Sequence, residues 1–341
     1  MSKLKFNSLI NLKLTQESGQ TSQAPWFCID DDKGFSNYYE LIFLNNLNNL
    51  DKLDNLGNSD NLNNLPVLAK VSQNPNDLSC FELDYQLSDC EFSDSYSDKE
   101  ITSAVKDEVS KIFNLDFDLE NFYKNLIDED DKLADSIDFC NGLRLFIARD
   151  KFECIISSIC SANNSITRWT KSTSQIKSNW GFNRDFILNN FSNNSDSGIT
   201  KSFYGFPKLS ELADKDLKSC GVGYREDYMK KSEDLLLNEI DIDEIDNMSY
   251  DEAFETISKL PGVGPKVADC ILLYGYGFME AFPSDVWIKR IVSYLYFNGK
   301  EISAKKTRDF GMEHFGENAG YAQLYLFHYA RKSGLMDKLK K

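Results

Sequence analysis

The chain has 341 residues, enough for about two domains at a usual size of roughly 150 residues each. Hydrophobic residues make up 41% of it and aromatic residues 13%, which is typical of a folded globular protein and argues against a disordered one. The formal net charge of -16 argues against a nucleic-acid partner, because Lys and Arg supply most of the affinity for phosphate.

The acidic excess is confined to the first part of the chain. Residues 1–140 contain 27 Asp and Glu against 11 Lys and Arg, whereas residues 141–341 contain 27 of each. The objection to a nucleic-acid partner therefore does not apply to the second part. We predict two domains, one over residues 1–140 and one over residues 141–341.

The sequence also lacks export and membrane signals. No run of about 18 apolar residues occurs. Residues 1–10 lack the uninterrupted apolar segment of a secretory signal. We therefore expect an intracellular protein that is not secreted and has no membrane partner.

The cysteines and histidines predict no metal site and no cofactor. The eight cysteines are scattered, without a C-x-x-C pair or the spacing of zinc and iron–sulfur sites. His314 and His328 are the two histidines, which gives a histidine-based metal site or catalytic triad little to build on. We interpret most cysteines as reduced core thiols and both histidines as structural or surface residues.

Strands are predicted in about the first 90 residues. Residues 81–87 alternate strictly between apolar and polar side chains, and residues 37–44 are rich in sheet formers. This pattern predicts an antiparallel sheet with one solvated face. A Leu/Asn-rich segment at about residues 45–64 has a three-residue Leu period that fits neither a strand nor an α-helix, so we interpret it as a mobile insertion in a hairpin.

From about residue 99 the apolar period becomes helical. Ile101, Val105, Val109 and Ile112 fall on one helical face, and Asp118 is a suitable N-cap for the following helix. Further helices are predicted up to the C-terminus, including a largely buried one at residues 151–161. The fold class is therefore α+β, with an N-terminal antiparallel sheet domain followed by a helical body.

The segment LPGVGPKVADC, residues 260–270, predicts a helix-hairpin-helix at about residues 249–275. The first helix is expected to end at Leu260, and Pro265 suits the first position of the second helix. Glycines allow the backbone to approach an anion, and free N–H groups at a helix start favour phosphate there. The predicted phosphate-binding hairpin consists of Gly262, Val263 and Gly264.

Lys266 and Asp285 are the candidate catalytic pair. Lys266 falls at the positive end of the second helix, which should lower its pKa, as an amine nucleophile requires. Asp285 stands where another helix would begin, so it could cap that helix and also face the lysine. Each also has a simpler interpretation, as a surface lysine and an ordinary cap. A DNA-binding helix-hairpin-helix protein without catalysis therefore stays open.

LPGVGPKVADC followed by PSDV resembles the helix-hairpin-helix and Gly/Pro-Asp signature of base-excision DNA glycosylases. Four flanking segments resemble 8-oxoguanine DNA glycosylases in particular, and Ser18-Gly19-Gln20 matches that family more weakly; the segments are residues 152–168, 204–213, 220–228 and 319–327. Endonuclease III shares the lysine and the aspartate but carries a four-cysteine iron–sulfur cluster, which this sequence does not supply.

The resemblance implies a bifunctional enzyme of base excision repair, a DNA N-glycosylase and abasic-site lyase that excises 8-oxoguanine opposite cytosine. Lys266 would attack C1′ and form a Schiff base, after which β-elimination cuts the strand, while Asp285 would stabilise the cationic sugar. The expected partner is double-stranded DNA containing 8-oxoguanine, and we expect a monomer, cytoplasmic at the nucleoid in a prokaryote or nuclear in a eukaryote. The alternative within the superfamily is a glycosylase for an oxidised pyrimidine or an alkylated purine.

The resemblance also assigns residues around the flipped nucleotide. The lesion pocket would contain a carbonyl that accepts the N7–H of 8-oxoguanine, an amide on its pairing edge and two side chains that enclose the ring, namely Gly19, Gln323, Cys270 and Phe327. The residues that fill the gap and bind the orphaned cytosine would be Asn163, Arg168, Tyr224 and Arg225. The sequence departs from the family at Thr21-Ser22, where Ser-Phe is expected, and at Trp287, where many members have His.

Overall fold

The computed structural model of the chain describes residues 4–31, 34–44, 65–87, 96–188 and 199–335. The predicted insertion at residues 45–64 lies outside these ranges. Five antiparallel strands form the N-terminal sheet in the order β1-β5-β4-β3-β2. They are β1 (Leu4–Asn7), β2 (Phe27–Asp30), β3 (Ser36–Leu44), β4 (Leu65–Gln73) and β5 (Cys80–Leu87).

One face of the sheet is covered by α2 (Asp98–Ile112). The predicted solvated face is wrong in part, because Tyr39, Leu41 and Leu68 on the other face are buried as well. The four apolar residues of its predicted face, Ile101, Val105, Val109 and Ile112, are all buried in one cluster with sheet residues such as Val67 and Leu83. Ser97 and Glu100 form a capping box at the start of the helix. A short helix, α1 (Leu12–Glu17), joins β1 to the loop that contains Gly19.

The rest of the chain is mainly helical, so the predicted α+β class is confirmed. The helices are α3 (Leu119–Glu129), α4 (Ala134–Phe139), α5 (Lys151–Ser161), α6 (Ile166–Trp180), α7 (Leu209–Leu212), α8 (Arg225–Asn238), α9 (Tyr250–Ile257), α10 (Pro265–Ile271), α11 (Val286–Tyr296), α12 (Ala304–Phe315) and α13 (Ala319–Lys332). Asp118 caps α3 as predicted, since its side chain accepts a hydrogen bond from the N–H of Asn121 at 3.0 Å.

The prediction of helices alone after residue 99 is wrong at one place. Strands β6 (Asn183–Leu188) and β7 (Ile199–Tyr204) form an antiparallel hairpin inside the helical part. The hairpin is stabilised by burial, because Phe186, Leu188 and Phe203 pack with residues of β3 and β4 such as Leu41. This contact links the hairpin to the N-terminal sheet.

A buried ion-pair cluster also joins the sheet to the helical body. Lys177 of α6 lies 3.1 Å from a carboxylate oxygen of Glu40 on β3 and 3.7 Å from one of Glu153 on α5. Lys177 and Glu153 are almost fully buried, at 8% and 6% exposure. Because the partners are separated by up to 137 residues in sequence, the cluster is a long-range contact that no local pattern reveals.

Within the described ranges, no helix is long and apolar enough to cross a membrane. In the same ranges, no group of three or more His, Cys, Asp and Glu residues is placed to hold a metal ion. The cysteines there are free, and most are buried as predicted, namely Cys140, Cys154, Cys160, Cys220 and Cys270. His328 is buried, whereas His314 bonds to Asp130 at the surface.

Candidate active site

The predicted helix-hairpin-helix is formed by α9, a tight turn and α10. Its first helix ends at Ile257, three residues before the predicted Leu260, because the following N–H groups make tighter bonds, from Lys259 to Thr256 O and from Leu260 to Ile257 O. A turn closed by the bond from Val263 N–H to Leu260 O follows. Val263 is buried and anchors the turn, while Gly262 and Gly264 are exposed. The first helical bonds of α10 are those of Val267 and Ala268 to Gly264 O, so earlier N–H groups point out of the helix.

Gly262 is required by its backbone and its surroundings. Its φ of +82° is in the left-handed region, and a Cβ there would lie 2.7 Å from Cδ2 of Tyr228 on α8. Pro265 occupies the first turn of α10, as predicted. The hairpin therefore presents exposed glycine backbone next to Lys266.

Lys266 is half-buried and lies beside the thiol of Cys270 and the carboxylate of Asp285. The predicted lowering of its pKa is wrong. Burial acts to lower the pKa, but the negative charges of Cys270, Asp285 and Asp269 outweigh burial and raise it. The positive end of α10 alone would lower the pKa of Lys266, whereas the acids that decide the direction of its shift come partly from α11. In the free protein Lys266 therefore carries its proton at neutral pH.

Asp285 caps α11, as predicted. One oxygen accepts hydrogen bonds from the N–H groups of Trp287 and Ile288, both at 2.9 Å, which fixes the orientation of the carboxylate. Burial raises the pKa of Asp285, against the opposing effects of these bonds and of the charges of Lys266 and Arg331. The structure thus brings the two predicted catalytic residues together.

A buried network that the sequence did not indicate holds α10 in place. Asp269, which is fully buried, accepts bonds from Nε and Nη2 of Arg308 on α12 at 2.7 and 3.1 Å. The hydroxyl of Tyr250 on α9 also donates to Asp269. A two-pronged arginine–carboxylate pair has strong geometric preferences, so the network fixes both helices of the hairpin motif against α12.

The predicted lesion-pocket residues of the helical body come from α10 and α13. Gln323 is buried and donates from Nε2 to the carbonyl of Pro283 at 2.9 Å, two residues before Asp285. Its other amide atom, Oε1, is buried without a hydrogen-bond partner in the described part of the chain. Cys270 is buried and Phe327 is half-buried. An unpaired buried acceptor is costly, so Oε1 is available for a donor of a bound base.

Gly19 lies in a loop that is held rigidly against the helical body. Its φ is +83°, and a Cβ there would lie 2.1 Å from Cδ1 of Ile166. The amide of Gln20 bonds to the carbonyl of Arg144 at 2.9 Å and to the N–H of Phe146 at 2.8 Å. Next to it, the departure at Thr21 is accommodated by a 2.8 Å bond between its hydroxyl and that of Ser158.

One further charged residue belongs to this group, although it stands in no motif of the sequence. Arg331 of α13 has its guanidinium carbon 4.9 Å from the ring centroid of Phe327. Its charge also acts on Asp285. The spacing of four residues from Phe327 on a predicted helix was the one available signal.

The residues predicted to fill the gap and bind the orphaned cytosine lie around a second feature, the turn between α5 and α6. Asn163 is exposed there with a φ of +49°, and Tyr224 is 56% exposed. Arg225 is buried and donates from Nε to Ala162 O at 2.8 Å and from Nη2 to Asn163 O at 3.0 Å. These bonds join Arg225, and with it the neighbouring Tyr224, to the turn at Asn163. Arg168 is exposed in the first turn of α6.

Comparison with known proteins shows the family of the chain. Residues 3–155 match the family model described as 8-oxoguanine DNA glycosylase, N-terminal domain. The chain is 43% identical over 248 residues to a protein of Methanothermobacter thermautotrophicus named probable N-glycosylase/DNA lyase. The aligned part covers 69% of this chain and 78% of that protein.

Two solved structures share the whole architecture. One is the Clostridium acetobutylicum 8-oxoguanine glycosylase/lyase bound to double-stranded DNA with cytosine opposite 8-oxoG, with a TM-score of 0.71, 26% identity and coverage of 98% of this chain and 99% of that one. The other is MBOgg1 with a low-affinity DNA ligand, with a TM-score of 0.73, 25% identity and coverage of 98% and 97%. The chain therefore belongs to the 8-oxoguanine DNA glycosylase and N-glycosylase/DNA lyase family of the helix-hairpin-helix superfamily.

Proposed function

We propose that this protein is a bifunctional 8-oxoguanine DNA glycosylase and abasic-site lyase of base excision repair. The observation that carries the proposal is the placement of Lys266 beside Asp285, next to an exposed glycine hairpin. A lysine nucleophile, a fixed carboxylate and a phosphate-binding turn are the three parts that this chemistry needs.

The first step requires a free amine. Because its surroundings raise the pKa of Lys266, the lysine rests as an ammonium ion and must lose a proton before it attacks C1′ of the damaged nucleotide. Attack forms the C1′–Nζ bond and breaks the bond to the base, which leaves with the glycosidic electron pair. The bound amine loses a proton, and the C1′–O4′ bond breaks as O4′ takes up a proton, which opens the sugar ring and leaves a protonated Schiff base. The Schiff base acidifies the sugar C2′–H, and loss of this proton expels the 3′ phosphate, so that β-elimination cuts the strand on the 3′ side.

Asp285 supplies the complementary charge. Its carboxylate is held in one orientation by two backbone N–H groups, so it need not reorganise when positive charge develops on the sugar. The same charge is balanced in the resting state by Lys266 and Arg331. The pair therefore places a negative group beside the reacting sugar without an unpaired buried charge.

The base must be flipped out of the duplex before this attack. We assign Asn163, exposed at the turn between α5 and α6, and Tyr224, exposed just before α8, to the vacated space. Arg225 and Arg168 would bind the orphaned cytosine, whose N3 and O2 accept hydrogen bonds from guanidinium donors. The carbonyl of Gly19 would accept the N7–H that 8-oxoguanine has and guanine lacks.

The proposal is tested by incubating the protein with an 8-oxoguanine:cytosine duplex and sodium borohydride. A covalent protein–DNA adduct should form, disappear in Lys266→Gln and persist in the control Lys300→Gln, whose lysine is exposed in a loop. A protein that only binds DNA gives no adduct. An adduct with abasic DNA but no excision of 8-oxoguanine would favour the alternative superfamily substrate. Adenine opposite the lesion should slow excision if the arginine assignment is right.

We further propose that the enzyme acts as a monomer on chromosomal DNA, in the cytoplasm or the nucleus. The predicted division at residue 140 stays a prediction, and helices α3 and α4, which precede it, pack in the core of the helical body through residues such as Leu119 and Ile137. Light scattering of the protein with and without duplex would determine the number of subunits.

A further inference from the structure

Helix α13 presents three chemically different side chains at a spacing of four residues. They are Gln323, Phe327 and Arg331, and on a helix residues four apart lie above one another on one face. Gln323 and Phe327 have places in the proposed lesion pocket. Arg331, in the last turn, continues the same row, and the function proposed above assigns it no contact with the lesion.

The guanidinium of Arg331 lies between that row and the Gly19 loop. Its carbon is 4.9 Å from the ring centroid of Phe327, and Nη1 is 3.4 Å from the carbonyl of Ser18. The same nitrogen is 3.6 Å from the position that a Cβ on Gly19 would occupy. Arg331 is half-buried and also feels the charge of Asp285. A donor group thus stands beside the backbone that we assign to the N7 edge of the lesion.

This position matches the second chemical difference between 8-oxoguanine and guanine. Beside its N7–H donor, 8-oxoguanine carries a carbonyl oxygen at C8, where guanine has only a C–H. The Gly19 carbonyl can accept a hydrogen bond from N7–H but cannot recognise a carbonyl. A guanidinium can only donate, so it complements O8 and gains nothing from C8–H.

The present partner of Arg331 leaves it free to make such a bond. A separation of 3.4 Å to Ser18 O is at the long end for an N–H···O bond, so little is lost when the guanidinium turns toward a base. The stacking on Phe327 limits where the planar group can go and keeps it near the pocket. Resting on the proposed function, we propose that Arg331 is a specificity-determining residue that donates a hydrogen bond to O8 of the flipped 8-oxopurine.

Two other roles for Arg331 would give different results. The guanidinium could bind a DNA phosphate, which would strengthen binding to every duplex alike. It could instead act through Asp285, which would affect the chemical step and not the choice of base. Equilibrium binding measured with a catalytically inactive variant separates these roles, because the binding constant does not depend on the transition state.

The experiment compares Lys266→Gln with the double variants Lys266→Gln/Arg331→Leu and Lys266→Gln/Arg331→Lys. Binding constants are measured for duplexes that contain 8-oxoguanine, guanine or a tetrahydrofuran abasic analogue opposite cytosine. The control is Lys266→Gln/Lys332→Gln, which removes an exposed charge from the same helical turn. Thermal denaturation checks that every variant is folded.

We expect Arg331→Leu to reduce the preference for 8-oxoguanine over guanine by about 10- to 100-fold, the usual effect of losing a hydrogen bond to a charged group. Binding to the tetrahydrofuran duplex should be unchanged, Arg331→Lys should recover part of the preference, and the control should retain all of it. An equal loss on all three duplexes indicates phosphate binding and overturns the inference. An unchanged preference overturns it as well.

Failure of the proposed function would look different. If Lys266→Gln with Arg331 intact shows no preference for the 8-oxoguanine duplex, then 8-oxoguanine recognition itself is wrong, and the role of Arg331 is rejected with it. If that preference exists and survives in Arg331→Leu, the proposed function stands and the role of Arg331 alone is rejected.

Discussion

Lys177 and Lys266 both lie away from solvent among acidic groups, but the number of carboxylates around them differs. Glu40 and Glu153 contact Lys177, and Asp150 is close enough to act on its charge. Burial opposes the charge of Lys177, but these acids outweigh burial and raise its pKa. Lys266 lies near the capping carboxylate of Asp285, the thiol of Cys270 and Asp269, which is already paired with Arg308. Burial raises the pKa of the Cys270 thiol.

The difference separates a structural lysine from the lysine that we propose to be reactive. At Lys177 the carboxylates outnumber the ammonium, so the excess negative charge is relieved by protonating a carboxyl, and the ammonium persists. At Lys266 the carboxylate of Asp285 is held by backbone donors, and we propose that the ammonium proton is the one that leaves. The buried Lys177 thus holds two regions together in an ion pair, whereas the half-buried Lys266 is the proposed nucleophile.

Removal of the structural lysine should have the largest effect. Lys177→Met leaves Glu40 and Glu153 buried without their cation, so the free energy of unfolding should fall by about 3–5 kcal/mol. Excision per folded molecule should stay the same. Urea denaturation measures the first quantity and active-site titration the second. The control Lys171→Met, exposed on the same helix, should change stability by less than about 0.5 kcal/mol.

The reactive site should behave in the opposite way. Asp285→Asn keeps an N-cap but removes the charge, so stability should change by less than about 1 kcal/mol. Single-turnover excision of 8-oxoguanine should fall by about 10²- to 10³-fold, the usual loss for a preorganised electrostatic group. Asp118→Asn, the same change at the cap of α3, should leave excision intact. A loss of stability without a loss of rate would make Asp285 a structural residue.

The protonation state of Lys266 predicts a pH dependence. Because the pKa of Lys266 is raised, the fraction of free amine should increase about tenfold per pH unit over the neutral and mildly alkaline range. The rate of Schiff-base formation on a preformed abasic duplex should rise with it. Borohydride trapping at a series of pH values measures this rate. A rate that is already constant from about pH 6 would mean that the lysine rests deprotonated.

The carboxyls around Lys177 predict a second pH dependence, that of stability. Burial raises the pKa of Glu153 from its ordinary 4.5 to about 8. Between these values the folded protein holds a proton that the unfolded chain has released, so stability should fall as pH rises, by up to about 1.4 kcal/mol per unit. Glu153→Gln should flatten this slope in denaturation experiments between pH 5 and 8. If Glu153→Gln keeps the full pH slope of stability, another group causes that slope.

Local patterns in the sequence predicted the parts of the fold that depend on near neighbours. The buried face of α2 follows from the spacing of residues such as Val105 and Val109, and the caps at Asp118 and Asp285 follow from their positions before helical segments. Residues far apart in sequence decide the rest. The β6–β7 hairpin is stabilised by contacts with β3 and β4, and the pKa of Lys266 is raised partly by Asp285.

The candidate site shows the same division. Lys266, Asp285 and the pocket residues of α13 were selected because they stand in motifs. Arg331 was missed because its neighbours, the Gly19 loop and Asp285, come from distant parts of the chain. The bond from Arg225 to the turn at Asn163 also could not be predicted from local sequence, since it joins residues 62 apart.

The contact between Gly19 and Ile166 has an evolutionary consequence. The side chain of Ile166 fills the space where a Cβ on Gly19 would be, and Ile166 begins the helix that carries Arg168 two residues later. A larger residue at position 19 would push on the start of α6. Because the proposed contacts with the lesion and with the opposite cytosine share one helical turn, mutations that broaden the range of excised bases should also relax the preference for cytosine, so the two traits would be inherited together.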